Sequence, residues 1–194
     1  MLLDLDDTLF DRTAAFARWA RARGFDATAL TAIDRRGHRA RSEFAGDAAR
    51  LGMTIDPERF PFELAEHVEP EPAVRETVEA LARSHRVAIV TNGGGAQRVK
   101  LARLALDGIV HAVFVSSEVG SAKPDHAIFE RALAWLELPA GEVLFVGDEP
   151  AIDLAPAAAL GMATAWRVRS EWPVRQPPPT HTITSIPELE ALCA

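Results

Sequence analysis

Between residues 87 and 166 the chain carries short apolar runs: Val87-Ala88-Ile89-Val90, Val113-Phe114-Val115, Val143-Leu144-Phe145-Val146 and Ala163-Thr164-Ala165-Trp166. Segments of helical periodicity separate each run from the next. Runs this short and this uniformly apolar do not alternate between a wet and a dry face. They suit strands of a parallel sheet buried on both sides, with the intervening helices as crossovers. Those helices are expected over residues 72–84, 96–106, 124–136 and 151–160. Val74, Val78 and Leu81 face inward on the first, and Ile128, Phe129 and Leu133 on the third. A further strand is expected at residues 2–5, an edge strand at 182–184 and a terminal helix at 186–192. The proline-rich stretch 169–179 reads as irregular. The fold class is therefore α/β.

From Thr13 to Glu69 the rhythm is different and helical throughout. Helices are expected from residue 13 to Gly24, over 27–35, from Ala40 to Leu51 with Gly52 as its stop, and from Pro57 to Ala65, where Pro61 bends or splits the last one. The segment Val68-Glu69-Pro70-Glu71-Pro72 ends this region, because two prolines break helix and stiffen the link. The expected organisation is a discontinuous α/β core, residues 1–12 and 70–194, with a helical cap at 13–69. An insertion after the first strand stands over the carboxyl ends of the strands, where open α/β sheets place their ligands.

Composition narrows the function. The 194 residues are 48% hydrophobic and 25% charged, ordinary for a globular domain. A net charge of −7, from 28 acidic against 21 basic residues, argues against a nucleic-acid partner bound through its phosphates. The four tryptophans do not form a spaced platform for bases and read as packing residues. No apolar run approaches the length of about 18 residues that a membrane span needs. One cysteine, Cys193, cannot form an intrachain disulfide. The start of the chain shows no basic and apolar leader, so cytoplasm is the expected compartment.

Polar constellations gather where strands are expected to end. Asp4-Leu5-Asp6 follows the first strand, and in extended backbone Asp4 and Asp6 point the same way. Thr91-Asn92-Gly93 follows the second, and Gly147-Asp148, with Asp153 beyond a turn, follows a later one. Lys123 precedes Pro124 at a helix start. Each alone has an ordinary reading: a helix N-cap for Asp4, Asp6 and Asp7, a turn for Thr91 and Asn92, a solvated lysine for Lys123. Their common position at one sheet edge is what favours a site. Gly93-Gly94-Gly95 lacks the Gly-Lys-Ser/Thr ending of a Walker loop and is expected to give backbone access near phosphate.

Four segments, in order, resemble those of the haloacid dehalogenase-like hydrolases that carry a small helical cap. They are Asp4-Leu5-Asp6-Asp7-Thr8-Leu9-Phe10-Asp11, Ile89-Val90-Thr91-Asn92-Gly93, Ser121-Ala122-Lys123-Pro124-Asp125 and Phe145-Val146-Gly147-Asp148-Glu149-Pro150-Ala151-Ile152-Asp153. The resemblance implies a Rossmann-like parallel sheet core with an inserted all-helical cap. It implies Asp4 as nucleophile, forming an aspartyl-phosphate, and Asp6 as general acid–base. It implies Mg²⁺ held by Asp4, Asp148 and the Asp6 carbonyl, with Asp153 binding directly or through water. Thr91 and the Asn92 amide would hold phosphoryl oxygens, and Lys123 would offset their charge. The dehalogenase branch lacks an aspartate at the position of Asp6, so phosphoryl chemistry is expected.

The elementary chemistry agrees, because a carboxylate approaches a phosphate dianion only where cations cancel the repulsion. The expected substrate is a small phosphomonoester of the nucleotide or sugar phosphate class. Thr91-Asn92-Gly93 with Gln97 and Lys100 is similar to the branch of nucleotidases and acyl-sugar phosphate phosphatases. Arg12, Phe16, Arg39, Arg41 and Phe44 are the cap residues that could select it, although both phenylalanines equally suit the cap's own core. A phosphosugar mutase of the same fold and a non-catalytic protein retaining the scaffold stay open as alternatives, and oligomeric state is not legible. Three departures stand out: only three apolar residues precede Asp4, Pro156 falls inside the expected helix 151–160, and His126 stands where relatives often carry proline.

Overall fold

A computed structural model of the chain describes residues 1–34, 40–173 and 175–193. Its strands are β1 (Leu2–Leu3), β2 (Ala88–Thr91), β3 (Ala112–Val115), β4 (Leu144–Gly147), β5 (Ala163–Arg167) and β6 (His181–Ile183). They form one sheet in the order β3-β2-β1-β4-β5-β6, and every neighbouring pair is parallel. The chain runs outward one way from β1 through β2 to β3, and the other way from β4 to β6. The order reverses between β1 and β4, which opens a crevice at their carboxyl ends.

Alternate strand residues feed two separate apolar clusters. Leu3, Ile89, Val146 and Ala165 join one face, while Leu2, Ala88, Val90, Phe145 and Trp166 join the other. On the first face lie α5 (Pro72–Ser84), through Val74, Val78 and Leu81, α6 (Ala96–Arg103), through Leu101, and α10 (Glu188–Leu192), through Leu189. On the second lie α8 (His126–Leu136), through Ile128, Phe129 and Ala132, and α9 (Ala155–Ala159), through Ala157. Burial on both faces is why these strands read as unbroken apolar runs.

Among the described residues four helices stand between β1 and α5: α1 (Arg12–Ala22), α2 (Ala27–Asp34), α3 (Arg41–Arg50) and α4 (Phe60–Ala65). Gly24 and Gly52, at φ +71° and +79°, close α1 and α3. Phe16, Trp19, Phe44 and Phe60 converge from three of these helices, with ring centroids 4.7–6.0 Å apart in tilted and edge contacts. Such pairs each add about 0.5–1.5 kcal/mol beyond the area that they bury. This aromatic cluster is continuous with the apolar face carrying Leu3 and Ile89.

Several boundaries differ from expectation. β1 is two residues rather than four; the Asp4 amide still donates to the Val146 carbonyl at 2.9 Å, after which the chain turns out of the sheet. α4 begins at Phe60, with Pro61 in its first turn, where a missing N–H is harmless, so Pro61 starts the helix rather than bending it. α8 starts at His126, capped by Asp125, whose carboxylate accepts from the Ala127 amide at 3.0 Å. The expected helix 151–160 is a π turn (Pro150–Leu154) followed by the short α9. In a continuous α-helix the Pro156 ring would meet the carbonyl four residues back, and the wider turn relieves this. A one-turn helix, α7 (Ser116–Val119), follows β3 where none was expected. Among the described residues no helix is long and apolar enough to cross a membrane.

Candidate active site

The crevice between β1 and β4 holds a cavity of about 400 Å³. Asp4 and Asp6 reach it from the exit of β1, Thr91 and Asn92 from that of β2, and Asp148 and Asp153 from that of β4. Lys123 enters from the loop before α8. Asp4, Asp148 and Asp153 are buried, and each offers a carboxylate oxygen within 4.8 Å of the others, an arrangement able to hold a divalent metal ion. All three donors are hard oxygens, the kind that Mg²⁺, Mn²⁺ or Ca²⁺ accepts.

Lys123 ties this cluster together. Its Nζ donates to Asp4 Oδ1 and to Asp153 Oδ1, each at 2.6 Å, and its side chain is only 2% exposed. The loop that carries it is fixed by Asn92, whose Nδ2 donates to the Lys123 carbonyl and whose Oδ1 accepts from the Lys123 amide, both at 2.8 Å. The Asn92 side chain is thus engaged with backbone. Burial pushes the Asp4 carboxyl up to about 7; Lys123 pulls it down and Asp153 pushes it up, so that burial prevails. For Lys123 burial acts downward, but the charges of Asp153 and Asp4 outweigh it and hold the ammonium above its usual range.

Asp6 lies in a second charged group on the same cavity wall. Lys100 Nζ donates to its Oδ1 at 2.5 Å, Gln97 Nε2 to its Oδ2 at 2.7 Å, and Arg12 Nε stands 3.9 Å away. Burial raises the Asp6 carboxyl, yet Lys100 and then Arg12 overcome it and leave the group below the ordinary carboxylate range. The two aspartates that flank Leu5 therefore have opposite tendencies: Asp4 is pushed toward its neutral form and Asp6 is held ionised.

Of the cap residues singled out, Arg12, Arg41 and Phe44 line the cavity and Phe16 does not. The Arg12 guanidinium forks onto Asp34 at 2.6 and 3.1 Å, and stands 5.8 Å from the Phe16 ring centroid. Phe16 and Phe44 both belong to the aromatic cluster. Arg39 lies outside the described residues.

Other supporting residues carry no sequence signal of their own. Thr8 Oγ1 donates to Asp4 Oδ2 at 3.0 Å, Trp166 Nε1 to the Asp148 carbonyl at 3.0 Å, and Arg169 Nε to the Asp7 carbonyl at 2.8 Å. Thr8 stands inside the first motif, and only its spacing from Asp4 could have marked it. Trp166 and Arg169 come from the far end of the chain, so their part is visible only in three dimensions.

Gly147 has a steric role. A Cβ added there would lie 2.6 Å from Asp153 Oδ2 and 2.7 Å from its Cβ. The π turn folds Asp153 back over this bare backbone, where its Oδ2 accepts from the Glu149 amide at 3.1 Å. Gly147→Ala is expected to displace Asp153 and weaken binding of a divalent cation about 10- to 100-fold, in line with other lost metal-site supports. Titrating the variant with Mg²⁺ or Mn²⁺ and following its unfolding temperature checks this; an unchanged affinity would remove Asp153 from the cluster.

Comparison with known proteins follows the same lines. A family model for haloacid dehalogenase-like hydrolases matches residues 1–161. The pyrimidine 5'-nucleotidase YjjG of Escherichia coli is 35% identical over 141 residues, covering 70% of this chain and 61% of that protein. The ribulose-1,5-bisphosphate 5-phosphatase of Halopiger xanaduensis is 36% identical over 121 residues, covering 61% of this chain and 48% of that one. The chain thus spans about half to three-fifths of the length of these curated relatives. The HAD-hydrolase YfnB of Bacillus subtilis, solved with magnesium, superposes with a TM-score of 0.79 at 20% identity, covering 98% of this chain and 96% of that one. The L-2-haloacid dehalogenase of Xanthobacter autotrophicus does so at 0.82 and 18%, covering 99% and 96%. These two likenesses concern the fold. With its parallel sheet, its helical insertion after β1 and the match over most of its length, the chain belongs to the haloacid dehalogenase-like hydrolases.

Proposed function

We propose that the protein is a Mg²⁺-dependent phosphomonoester hydrolase acting on a small phosphorylated metabolite, of the nucleotide or sugar phosphate class, through an aspartyl-phosphate. The observation that carries this reading is Asp4, bonded to Lys123 at 2.6 Å within the three-carboxylate cluster and facing the cavity beside Thr91. The relatives' names, a nucleotidase and a sugar-bisphosphate phosphatase, support it. The presence of Asp6 favours phosphoryl transfer over dehalogenation, since an alkoxide leaving group needs a proton and a halide does not.

Asp4, Asp148 and the Asp6 carbonyl would hold the cation, with Asp153 beside them. Once bound, Mg²⁺ supplies charge neutralisation for the carboxylates and the phosphoryl oxygens. Asp6, ionised in the free protein, takes a proton from solvent as the substrate's anionic phosphate enters beside it and opposes the pull of Lys100 and Arg12. Asp4 then attacks phosphorus and displaces the alkoxide, which takes that proton. Asp6 then takes a proton from the water that attacks the aspartyl-phosphate, and Asp4 is released. Lys123 neutralises Asp4 and the transferring group. Thr91 Oγ1 and the Asn92 backbone amide hold phosphoryl oxygens, because the Asn92 side chain is already engaged with Lys123.

Residues 13–69 would act as a cap over the core formed by residues 1–12 and 70–194. Arg41 and Phe44 would meet the part of the substrate distal to phosphorus. Arg12 would serve mainly to tie α1 and α2 to the Asp6 side of the cavity, given its fork onto Asp34. A cavity of about 400 Å³ suits a metabolite rather than a folded protein.

The test is phosphate release from a panel of phosphomonoesters with Mg²⁺ and with chelator, run beside a haloacid. Release that needs the metal and prefers small sugar or nucleotide esters is the expected result. Halide release without phosphate release would overturn the reading. Isomerisation of a hexose phosphate without loss of phosphate would replace hydrolase by mutase.

A further inference from the structure

Asp6 is held on both of its carboxylate oxygens by side chains from a single helix. Lys100 Nζ meets Oδ1 at 2.5 Å and Gln97 Nε2 meets Oδ2 at 2.7 Å. The same Gln97 nitrogen donates to Thr91 Oγ1 at 2.6 Å. Gln97 and Lys100 are three residues apart on α6, hence on one face of it. Both are buried, at 3% and 5% exposure, and both line the cavity with Asp6 and Thr91.

Neither burial is cheap. A lysine or an amide taken out of water stabilises nothing unless its polar atoms are satisfied. Here the nitrogens of both side chains bond to one cavity-facing carboxylate, and that of Gln97 also to one cavity-facing hydroxyl. The backbone makes room for the arrangement: at Gly93, with φ +142°, an added Cβ would come within 3.0 Å of Gln97 Cγ. A pair serving only to fasten α6 to the sheet would not need to stand on the cavity wall or to link the exits of β1 and β2.

We propose that Gln97 and Lys100 are positioning residues that orient Asp6 for proton exchange with the leaving oxygen and with water, in register with Thr91. This rests on the reading of Asp6 as the acid–base group of a phosphatase. Each carboxylate oxygen has two acceptor sites, so one N–H bond on each leaves a site for the exchanged proton. In the first half-reaction the bond from Asp4 to phosphorus forms, the ester P–O bond breaks, and the departing oxygen keeps the electron pair and takes the Asp6 proton. In the second, water forms the new P–O bond, Asp6 takes its proton and the Asp4–phosphorus bond breaks. Lys100 and Gln97 touch neither the phosphorus nor the leaving oxygen in this scheme; Lys100 acts through Asp6, and Gln97 acts through Asp6 and Thr91.

Leaving-group dependence tests this. An alkyl ester such as glycerol phosphate needs the proton, whereas 4-nitrophenyl phosphate departs as a stable aryl oxide. Lys100→Met is expected to lower kcat/KM about 100-fold on the alkyl ester, the scale of a lost general acid, and less than about fivefold on the aryl ester. Gln97→Leu should show the same selectivity, and it carries the test if the lysine variant does not fold. In an Asp6→Asn background Lys100→Met should add no further loss, because a residue acting only through Asp6 has nothing left to act on. Equal losses on both esters, an unchanged rate on the alkyl ester, or an additive loss for Lys100→Met in the Asp6→Asn background would each overturn the proposal. Wild-type protein inert toward both esters overturns the phosphatase reading instead, and this assignment with it.

Discussion

Asp4→Asn protein is expected to release no phosphate above background, a loss of at least about 10⁴-fold, while remaining folded. An amide of the same shape keeps the packing around Asp4 but offers no anionic oxygen to attack phosphorus. The same substitution has a second consequence, in stability. Burial raises the Asp4 carboxyl from 3.8 to about 7 against the pull of Lys123, so below about pH 7 the folded, metal-free protein takes up a proton there that the unfolded chain does not hold. A carboxyl raised in the folded state contributes stability fully below its unfolded value near 3.8 and loses that contribution as pH climbs through about 7. Asparagine carries no such proton. As pH rises from about 4 through about 7, the stability of the metal-free variant should therefore increase relative to that of wild type, measured by denaturant unfolding with chelator present. Undiminished turnover would remove Asp4 as the nucleophile, and a relative stability that falls with rising pH would show that Lys123 rather than burial governs the carboxyl.

The opposing behaviour of Asp4 and Asp6 shows where a sequence stops being informative. Both are aspartates at the exit of one strand, and their period-two spacing already places both toward the cavity. What separates them is their neighbours, Lys123 and Asp153 for one and Lys100, Gln97 and Arg12 for the other. Those neighbours come from four other segments of the chain. Their meeting depends on strand order, which places β1 between β2 and β4. The strands themselves were legible because burial on both faces demands unbroken apolar runs. The helices at 72–84 and 27–35 were legible through spacing and breakers, and α5 matches its expected bounds. The π turn was not, because it is the compromise between helical propensity, Pro156 and the need to lay Asp153 over Gly147. Nor were the anchors from Trp166 and Arg169, since nothing local distinguishes a packing tryptophan from one that also donates to the Asp148 carbonyl.

Lys123 carries the second large prediction. Three buried carboxylates share a space less than 5 Å across, and Lys123 is the cation seen to bond two of them. Removing one partner of a buried ion pair commonly costs about 3–5 kcal/mol, because the charge left behind has neither water nor counter-charge. Lys123→Met keeps the length and apolar stem of the side chain and removes only the charge. The metal-free variant is expected to unfold at markedly lower temperature than wild type. Added Mg²⁺ should raise its unfolding temperature by more than it raises that of wild type, since the cation then neutralises carboxylates that no ammonium serves. Turnover should not return with it. At saturating Mg²⁺ the expected deficit in kcat is about 10²–10³-fold, the scale of one lost charge donor to a transferring group. The two readouts separate structure from chemistry. Stability restored together with wild-type kcat would confine Lys123 to holding the carboxylates together, whereas stability restored with kcat still depressed places its ammonium in the transfer itself.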